Sequence, residues 1–127
     1  MTGYEVKIIE ASKELTARER LMLKDTSNAI SIDEVTQNPD SGALVIKVDH
    51  YAALAVHNEK SDNKDYIKYV LVDESGNKYV TGSESFWEAF KSIWDEMHDT
   101  DEEYSIEIYR LESKNYKGKS FITCSIV

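Results

Sequence analysis

The sequence predicts a mainly β protein of the α+β class with one main helix. Three features support this prediction: long alternations of apolar and polar residues, short polar turns between them, and one strong helical stripe. Of the 127 residues, 41% are hydrophobic and 31% are charged, which is the composition of a globular domain rather than of a disordered chain. We therefore expect a single domain over 1–127, in which residues 1–38 form a weaker N-terminal extension that packs on a 43–127 core.

The N-terminal third carries one strand signal and one helix signal. Residues 4–9 alternate in polarity, which predicts a short strand. Thr16 and Glu19 have the spacing of a capping box, so we expect a helix of about two turns that ends near Leu23. The turn-forming residues 25–28 would follow this helix.

The centre of the chain predicts one long strand, or two strands joined by a bend near His50. After a turn at 38–42, the even-numbered residues from 44 to 56 are mostly apolar and would face inward. Tyr51 would then lie on the outward face, beside Lys47 and Asp49.

A hairpin is expected after the polar loop at 58–65. Ile67–Val72 and 78–81 are its strands, and Asp73–Asn77 is its turn. Gly76 is the residue of this turn that takes a positive φ at little cost.

Residues 84–98 carry the strongest helix pattern of the sequence. Residues 83–85 would begin this helix, and Ser85–Glu88 has the spacing of a second capping box. Its apolar residues recur at helical spacing: Phe86, Ala89, Phe90, Ile93, Trp94 and Met97. Two further strands are expected at 104–109 and 120–126, joined by a loop at 111–119.

The order of elements in the core is therefore β-β-β-α-β-β, with the main helix (84–98) between strands three and four. This order fits an OB-like five-stranded barrel. A curved antiparallel sheet with the helix on one face explains the same periodicities. The pattern alone does not choose between them.

Charge and cysteine content exclude several classes of protein. There are 24 acidic and 15 basic residues, so the net charge is −9, which excludes a protein that coats nucleic acid with its whole surface but allows a local basic face. Cys124 is the only cysteine, which favours a reducing, cytoplasmic location. The N-terminus lacks the apolar stretch of a signal peptide, and the longest apolar run, 51–56, is too short to cross a membrane.

No catalytic or metal-binding motif is apparent. His50 and His57 would lie on opposite faces of a strand, and His98 stands alone at the end of the main helix. A zinc site needs three or four convergent ligands, which these residues and one cysteine do not supply. We therefore predict no enzyme activity, no metal and no cofactor.

A cluster of cations lies between the last two strands. Residues 110–119 contain one carboxylate, Glu112, against four cations with a tyrosine among them: Arg110, Lys114, Lys117, Lys119 and Tyr116. Lysines meet phosphates and an aromatic ring stacks on a base, which are the two components of single-strand binding without sequence preference. A solvated hairpin tip explains the same residues, and the sequence leaves both interpretations open.

Aromatic residues also lie on the polar side of three strands. Tyr109, Phe121 and Tyr51 are predicted to point outward, where a base could stack on them. Cross-strand packing with lysine side chains is the alternative.

An acidic segment follows the main helix. Residues 95–103 hold six carboxylates in nine positions. They form either a solvated helix end, a segment that recruits a protein, or a mimic of nucleic-acid phosphates.

The C-terminal half resembles the small single-stranded DNA-binding proteins of short-tailed phages of Gram-positive bacteria. The resemblance rests on Val72–Tyr79, Tyr104–Ile108, 113–118 and Phe121–Ile122, and it covers about half of the chain. It implies an OB-like fold that coats single strands during phage replication or recombination in the host cytoplasm. It also implies binding through tyrosine stacking and lysines.

The expected partner is therefore single-stranded DNA, without a membrane, with the 95–103 segment offered to replication or recombination proteins. The expected contacts are Lys114, Lys117, Lys119 and Arg110 to phosphates and Tyr109, Tyr116, Phe121 and Tyr51 to bases. The alternative function is an acidic phage accessory protein that binds and inhibits or redirects a host protein.

Overall fold

The computed structural model describes residues 3–37, 44–112 and 120–127. Strands make up 46% of these residues and helices 23%, which confirms the mainly β prediction. The eight strands are β1 (Tyr4–Ala11), β2 (Ile30–Ser31), β3 (Leu44–Ile46), β4 (Val48–Asn58), β5 (Asp65–Asp73), β6 (Lys78–Thr81), β7 (Ile106–Glu112) and β8 (Ser120–Ile126). The three helices are α1 (Ala17–Lys24), α2 (Ile32–Val35) and α3 (Glu84–Met97).

The strands form two sheets. One has five strands in the order β1-β4-β5-β6-β2, and the other has three in the order β3-β7-β8. The described strands do not close into a barrel. The chain divides into two compact units, residues 1–30 with 49–82 and residues 31–48 with 83–127.

In the first unit, β1 pairs with β4 in antiparallel register from Tyr4↔Asn58 to Ala11↔Ala52, with an irregularity between Ile8 and Glu10. Helix α1 follows β1 and has the predicted capping box. Thr16 Oγ1 accepts from the backbone N–H of Glu19, and the Glu19 carboxylate accepts from the N–H of Thr16. The core of this unit gathers apolar side chains from the helix and the central strands: Leu23, Ala52, Leu54, Val56 and Val70.

The long central alternation is two strands, β3 and β4, and the break falls at Lys47 rather than near His50. The even-numbered residues from Ile46 to Val56 point largely inward, as predicted. However, Tyr51 and Ala53, on the other face of β4, are buried as well. The predicted outward position of Tyr51 is therefore wrong. A strand covered on both faces shows a continuous apolar run, and residues 51–56 form such a run.

The β5–β6 hairpin has the predicted turn. Gly76 has φ +90°, a conformation that L-residues rarely adopt. The Asp73 carboxylate accepts hydrogen bonds from the backbone N–H groups of Ser75 and Asn77 and from the Tyr79 hydroxyl. These bonds outweigh the effect of burial and lower the pKa of Asp73 below its usual value.

In the second unit, α3 confirms the predicted main helix, and its N-cap is Ser83, within the predicted start at 83–85. The Ser83 hydroxyl accepts from the N–H of Phe86. The helix packs against β8, and Ser85 Oγ donates to the Ile122 carbonyl. The fully buried side chains of this unit include Phe86, Phe90, Ile106 and Ile108.

Strand β7 runs two residues into the segment predicted as a loop, through Leu111 and Glu112. Two short elements, β2 and α2, have no counterpart in the sequence prediction. Elements of two and four residues are too short to show a periodicity.

Candidate nucleic-acid interface

The three-stranded sheet has one buried face and one exposed face. On the buried side, Ile108 of β7 pairs with Cys124 of β8, and Ile106 pairs with Ile126, which lies at the end of β8 and is 49% exposed. Side chains alternate along each strand, so the intervening residues point the other way. The residues on this outward face are Val45, Glu107, Tyr109, Leu111, Phe121, Thr123 and Ser125.

The register brings Tyr109 and Phe121 together on this face. Tyr109 lies opposite Thr123, and Leu111 lies opposite Phe121, so the two aromatic residues occupy diagonal positions of an antiparallel pair. Diagonal neighbours lie about 7–8 Å apart and are within reach of each other when their side chains are large. The sequence prediction that both rings share the polar side of their strands agrees with this placement.

Tyr109 is oriented by a hydrogen bond across the strands. Its hydroxyl lies 2.6 Å from Ser125 Oγ. The bond links the tip of the side chain on β7 to β8 and limits the rotation of the ring. Ser125 was not among the residues expected at the site, because nothing in the sequence shows which hydroxyl a tyrosine will reach.

The outward face is apolar and aromatic rather than basic. Val45 is 54% exposed, Leu111 44% and Phe121 39%. The one charged residue among the seven outward residues is Glu107. We call Val45, Tyr109, Leu111 and Phe121 the aromatic face. Cations for phosphate groups would have to come from Lys114, Lys117 and Lys119, which, like Tyr116, lie outside the described residues.

Arg110 makes its contacts within the protein. It shares the buried side of β7 with Ile106 and Ile108. One terminal nitrogen donates to the Asp33 carbonyl at 3.1 Å, and the other donates to Ser120 Oγ, also at 3.1 Å. Its Nε is buried without a partner among the described residues. The guanidinium therefore ties the α2 segment to β7 and β8, and in this conformation it is occupied.

Tyr51 belongs to the first unit and is 4% exposed. Its hydroxyl donates to Glu10 at 3.2 Å, and its backbone N–H donates to Ser12 Oγ at 2.9 Å. No base can reach this ring in the conformation described. These contacts give Tyr51 a structural role in joining β4 to β1.

The acidic segment, Asp95–Glu103, is exposed at all six of its carboxylates. Asp95 pairs with Lys91 at 3.7 Å, and Glu103 pairs with Lys47 at 3.2 Å. The last turn of α3 contains no basic residue. Because the C-terminal end of a helix favours positive charge, these carboxylates oppose the helix dipole. Other residues of the segment do cap the helix: the Thr100 hydroxyl donates to the Met97 carbonyl at 2.8 Å, and His98 Nε2 lies 3.1 Å from the Asp99 carboxylate.

Among the described residues, no group of three histidine, cysteine or acidic side chains is arranged to hold a metal ion. Burial raises the pKa of the Cys124 thiol to about 12, so it does not ionise near neutral pH. The pKa of His57 is raised above its usual value because its imidazole is hydrogen-bonded to two carboxylates, Asp65 and Glu59. Its Nδ1 is 2.7 Å from Asp65, and its Nε2 is 2.6 Å from Glu59.

Comparison of the chain with family models, with curated proteins and with solved structures finds no match. None of the helices in the described ranges has the length and apolar character that a bilayer-spanning segment needs.

Proposed function

We propose that the chain binds single-stranded DNA on the aromatic face and in the lysine-rich segment that joins β7 to β8. The observation that supports this proposal is the β7–β8 register, which sets the exposed Phe121 and the half-buried Tyr109 on the outward face of one sheet. Exposed aromatic rings on a sheet are the means by which several nucleic-acid-binding domains stack unpaired bases.

Stacking explains why the face can be apolar. Every base has a π-face, so rings bind bases without reading their sequence, and each stacked base contributes about 1–3 kcal/mol. Tyr109 and Phe121 can each hold one base, while Leu111 supplies apolar contact between them. A duplex keeps its bases stacked inside and cannot use these rings, so the face selects single strands.

The phosphate contacts come from the segment between the strands. Residues 110–119 contain four cations and one carboxylate in a chain of net charge −9. Because Arg110 is engaged by Asp33 and Ser120, three lysines remain for the phosphates. Each phosphate neutralised on a single DNA strand contributes about −0.7 to the slope of the logarithm of the association constant against the logarithm of the salt concentration. Three such phosphates give a slope of roughly −2. The negative charge of the rest of the protein repels DNA, so the DNA strand is confined to this segment.

The biological role follows from the resemblance of this half of the chain to the phage single-strand-binding proteins. Some of the residues that carry it lie in the β5–β6 hairpin, β7 and β8, and those at 113–118 lie outside the described residues. An OB-like arrangement of these strands and coating of single strands during phage replication or recombination, in a host cytoplasm, belong to the same proposal.

A fluorescence titration tests the proposal. Trp87 and Trp94 belong to the same unit as the aromatic face and report on binding of an oligo-dT strand, with matched duplex as the control. We expect binding to the single strand only, and weaker binding for Phe121→Ala and Lys117→Ala. Tyr4→Ala and Lys60→Ala are matched controls, because both residues are exposed and lie in the other unit. Equal binding of duplex and single strand would contradict the proposal.

A second function, an acidic accessory protein that occupies a host protein, is favoured by one observation. The carboxylates of the acidic segment oppose the α3 dipole and are all exposed. Charge reversal with Asp99→Lys, Asp101→Lys and Glu102→Lys would then abolish capture of a host protein. The same variant retains single-strand binding if the aromatic face is the functional site.

A further inference from the structure

Helix α1 has an outer face of unusual composition for this chain. Leu23 points inward and is buried. At 3.6 residues per turn, the positions opposite Leu23 are Ala17, Arg18, Leu21, Met22 and Lys24, and all five are exposed. We call these five residues the α1 outer face. Leu21 is 70% exposed and Met22 is 58% exposed, so two large apolar side chains lie in solvent.

The charge of this face is entirely positive. It contains Arg18 and Lys24 and no carboxylate, whereas the whole chain has a net charge of −9. Neither cation forms an ion pair with any residue that the structure describes. The one carboxylate of the helix, Glu19, is turned away and pairs with Lys13 at 2.7 Å, a contact that helps to lower its pKa to about 2.

The apolar part of the face continues into a groove of about 600 Å³. Leu21, Met22 and Ile30 line it on one side, and the tip of the β5–β6 hairpin lines the other. Lys78 borders this groove and donates to the carbonyls of Met22 and Asp25. These two hydrogen bonds link the end of α1 to β6 at the edge of the groove.

The chain itself contains a segment that complements this face. The six carboxylates of the acidic segment Asp95–Glu103 are exposed and oppose the dipole of α3, whereas Met97 of the same segment is half-buried. Asp101 and Glu102 form no ion pair with any described residue. Carboxylates placed beside Arg18 and Lys24 would gain the attraction that they lack at the end of α3.

We propose that the α1 outer face of one copy of this chain binds the acidic segment of a second copy. The contact is heterologous: each copy offers α1 to one neighbour and the acidic segment to another, so copies associate head to tail. The proposal does not rest on the proposed function, because it uses neither the aromatic face nor DNA.

Charge governs the strength of this contact. Two copies of net charge −9 repel each other at a distance, and about 0.1 M salt limits that repulsion to a range of about 10 Å. Close pairs between Arg18 or Lys24 and a carboxylate persist under these conditions. Salt near 1 M, where the screening length is about 3 Å, weakens them as well. Association is therefore expected at moderate salt and dissociation at high salt.

A charge-exchange experiment on the full chain tests the proposal by sedimentation velocity. The first variant carries Arg18→Glu and Lys24→Glu, and the second carries Asp99→Lys, Asp101→Lys and Glu102→Lys. Each variant alone presents like charges at the contact, so we expect the concentration-dependent increase in sedimentation coefficient to disappear. An equimolar mixture pairs an acidic α1 with a basic segment and a basic α1 with an acidic segment, so association is expected to return.

The mixture also controls for folding, because only folded variants can restore the contact. A matched variant, Lys7→Glu with Lys60→Glu, changes the net charge equally at exposed sites away from the α1 outer face and is expected to associate like the wild type. A wild-type chain that remains monomeric at moderate salt would overturn the proposal. Association that survives in both single variants, as in a symmetric apolar dimer through Leu21 and Met22, would also overturn it.

Discussion

The hydroxyl of Tyr109 lies 2.6 Å from the Oγ of Ser125 across the β7–β8 pair. The bond spans two strands on the outward face of the sheet, so the ring is held in place before any ligand binds. A stacking residue that is already ordered loses less conformational entropy on binding than a mobile one. If Tyr109 stacks on a base as proposed, the Ser125 hydroxyl contributes to the affinity through the position of this ring.

The first prediction concerns the two rings. Tyr109→Ala is expected to weaken single-strand affinity by about 1–3 kcal/mol, since it removes one stacked base, whereas Tyr109→Phe keeps the ring and loses only the bond to Ser125. Phe121→Ala is expected to resemble Tyr109→Ala, and Phe121→Tyr to resemble the wild type. Anisotropy titration of a labelled oligo-dT measures all four. Equal losses for Tyr109→Phe and Tyr109→Ala would show that the ring does not stack.

The second prediction separates Arg110 from the binding residues. Arg110→Met keeps an unbranched apolar side chain in place of the arginine stem and removes the hydrogen bonds to Asp33 and Ser120, so it should lower the free energy of unfolding by roughly 1–3 kcal/mol. Urea unfolding measures this loss. DNA affinity of the folded variant is expected to change little. A large loss of affinity with unchanged stability would instead assign Arg110 to the phosphates.

The third prediction is a pH dependence that comes from His57. Its hydrogen bonds to Asp65 and Glu59 raise its pKa above the usual value. Because the folded pKa lies above the unfolded value of about 6.5, the stabilisation is complete below about pH 6.5 and is lost as the pH rises through the folded pKa. Thermal unfolding of the wild type and of His57→Gln, from below pH 6.5 to above the folded pKa of His57, measures this loss of stability. If the melting temperatures of the wild type and of His57→Gln differ by the same amount at every pH, the His57 contacts do not contribute a pH-dependent stability.

The fourth prediction concerns Cys124. Burial raises the pKa of its thiol to about 12, and only the thiolate reacts readily with disulfide reagents. The native protein is expected to react with such a reagent far more slowly than the urea-unfolded protein. Rapid reaction of the folded chain would show that the β8 region opens easily.

Local signals in the sequence predicted the local structure well. The stripe from Phe86 to Met97 repeats over four turns and is buried mainly at Phe86 and Phe90, so α3 was predicted to within one residue at its end. The turn at Asp73–Asn77 was predicted because Gly76 suits a positive φ. The Thr16 capping box was recognisable because both of its partners lie within four residues.

Long-range pairing was not predictable in the same way. The chain changes sheets at Lys47, so that β3 pairs with β7 while β4 pairs with β1. Alternation in polarity shows that a segment is a strand but not which strand lies beside it. The prediction of an OB-like barrel assumed an order of strands that periodicity does not determine.

At the candidate site, too, the local placement of side chains was predictable from the sequence and the long-range contacts were not. Side-chain alternation alone placed Tyr109 and Phe121 on the outward face. The same alternation puts Arg110 with Ile106 and Ile108, so its inward position could have been read from the sequence. Tyr51 was misplaced because the apolar run 51–56 is buried on both faces. The contact between Tyr109 and Ser125 required the register of β7 against β8.

The most direct test of the central claim is an NMR titration of the isotope-labelled protein with oligo-dT. Binding on the aromatic face predicts that the backbone amide signals of 107–111 and 121–125 shift as oligo-dT is added, while the signals of β1 and α1 do not shift. Shifts confined to residues 4–24, with 107–111 and 121–125 unchanged, would contradict binding on the aromatic face.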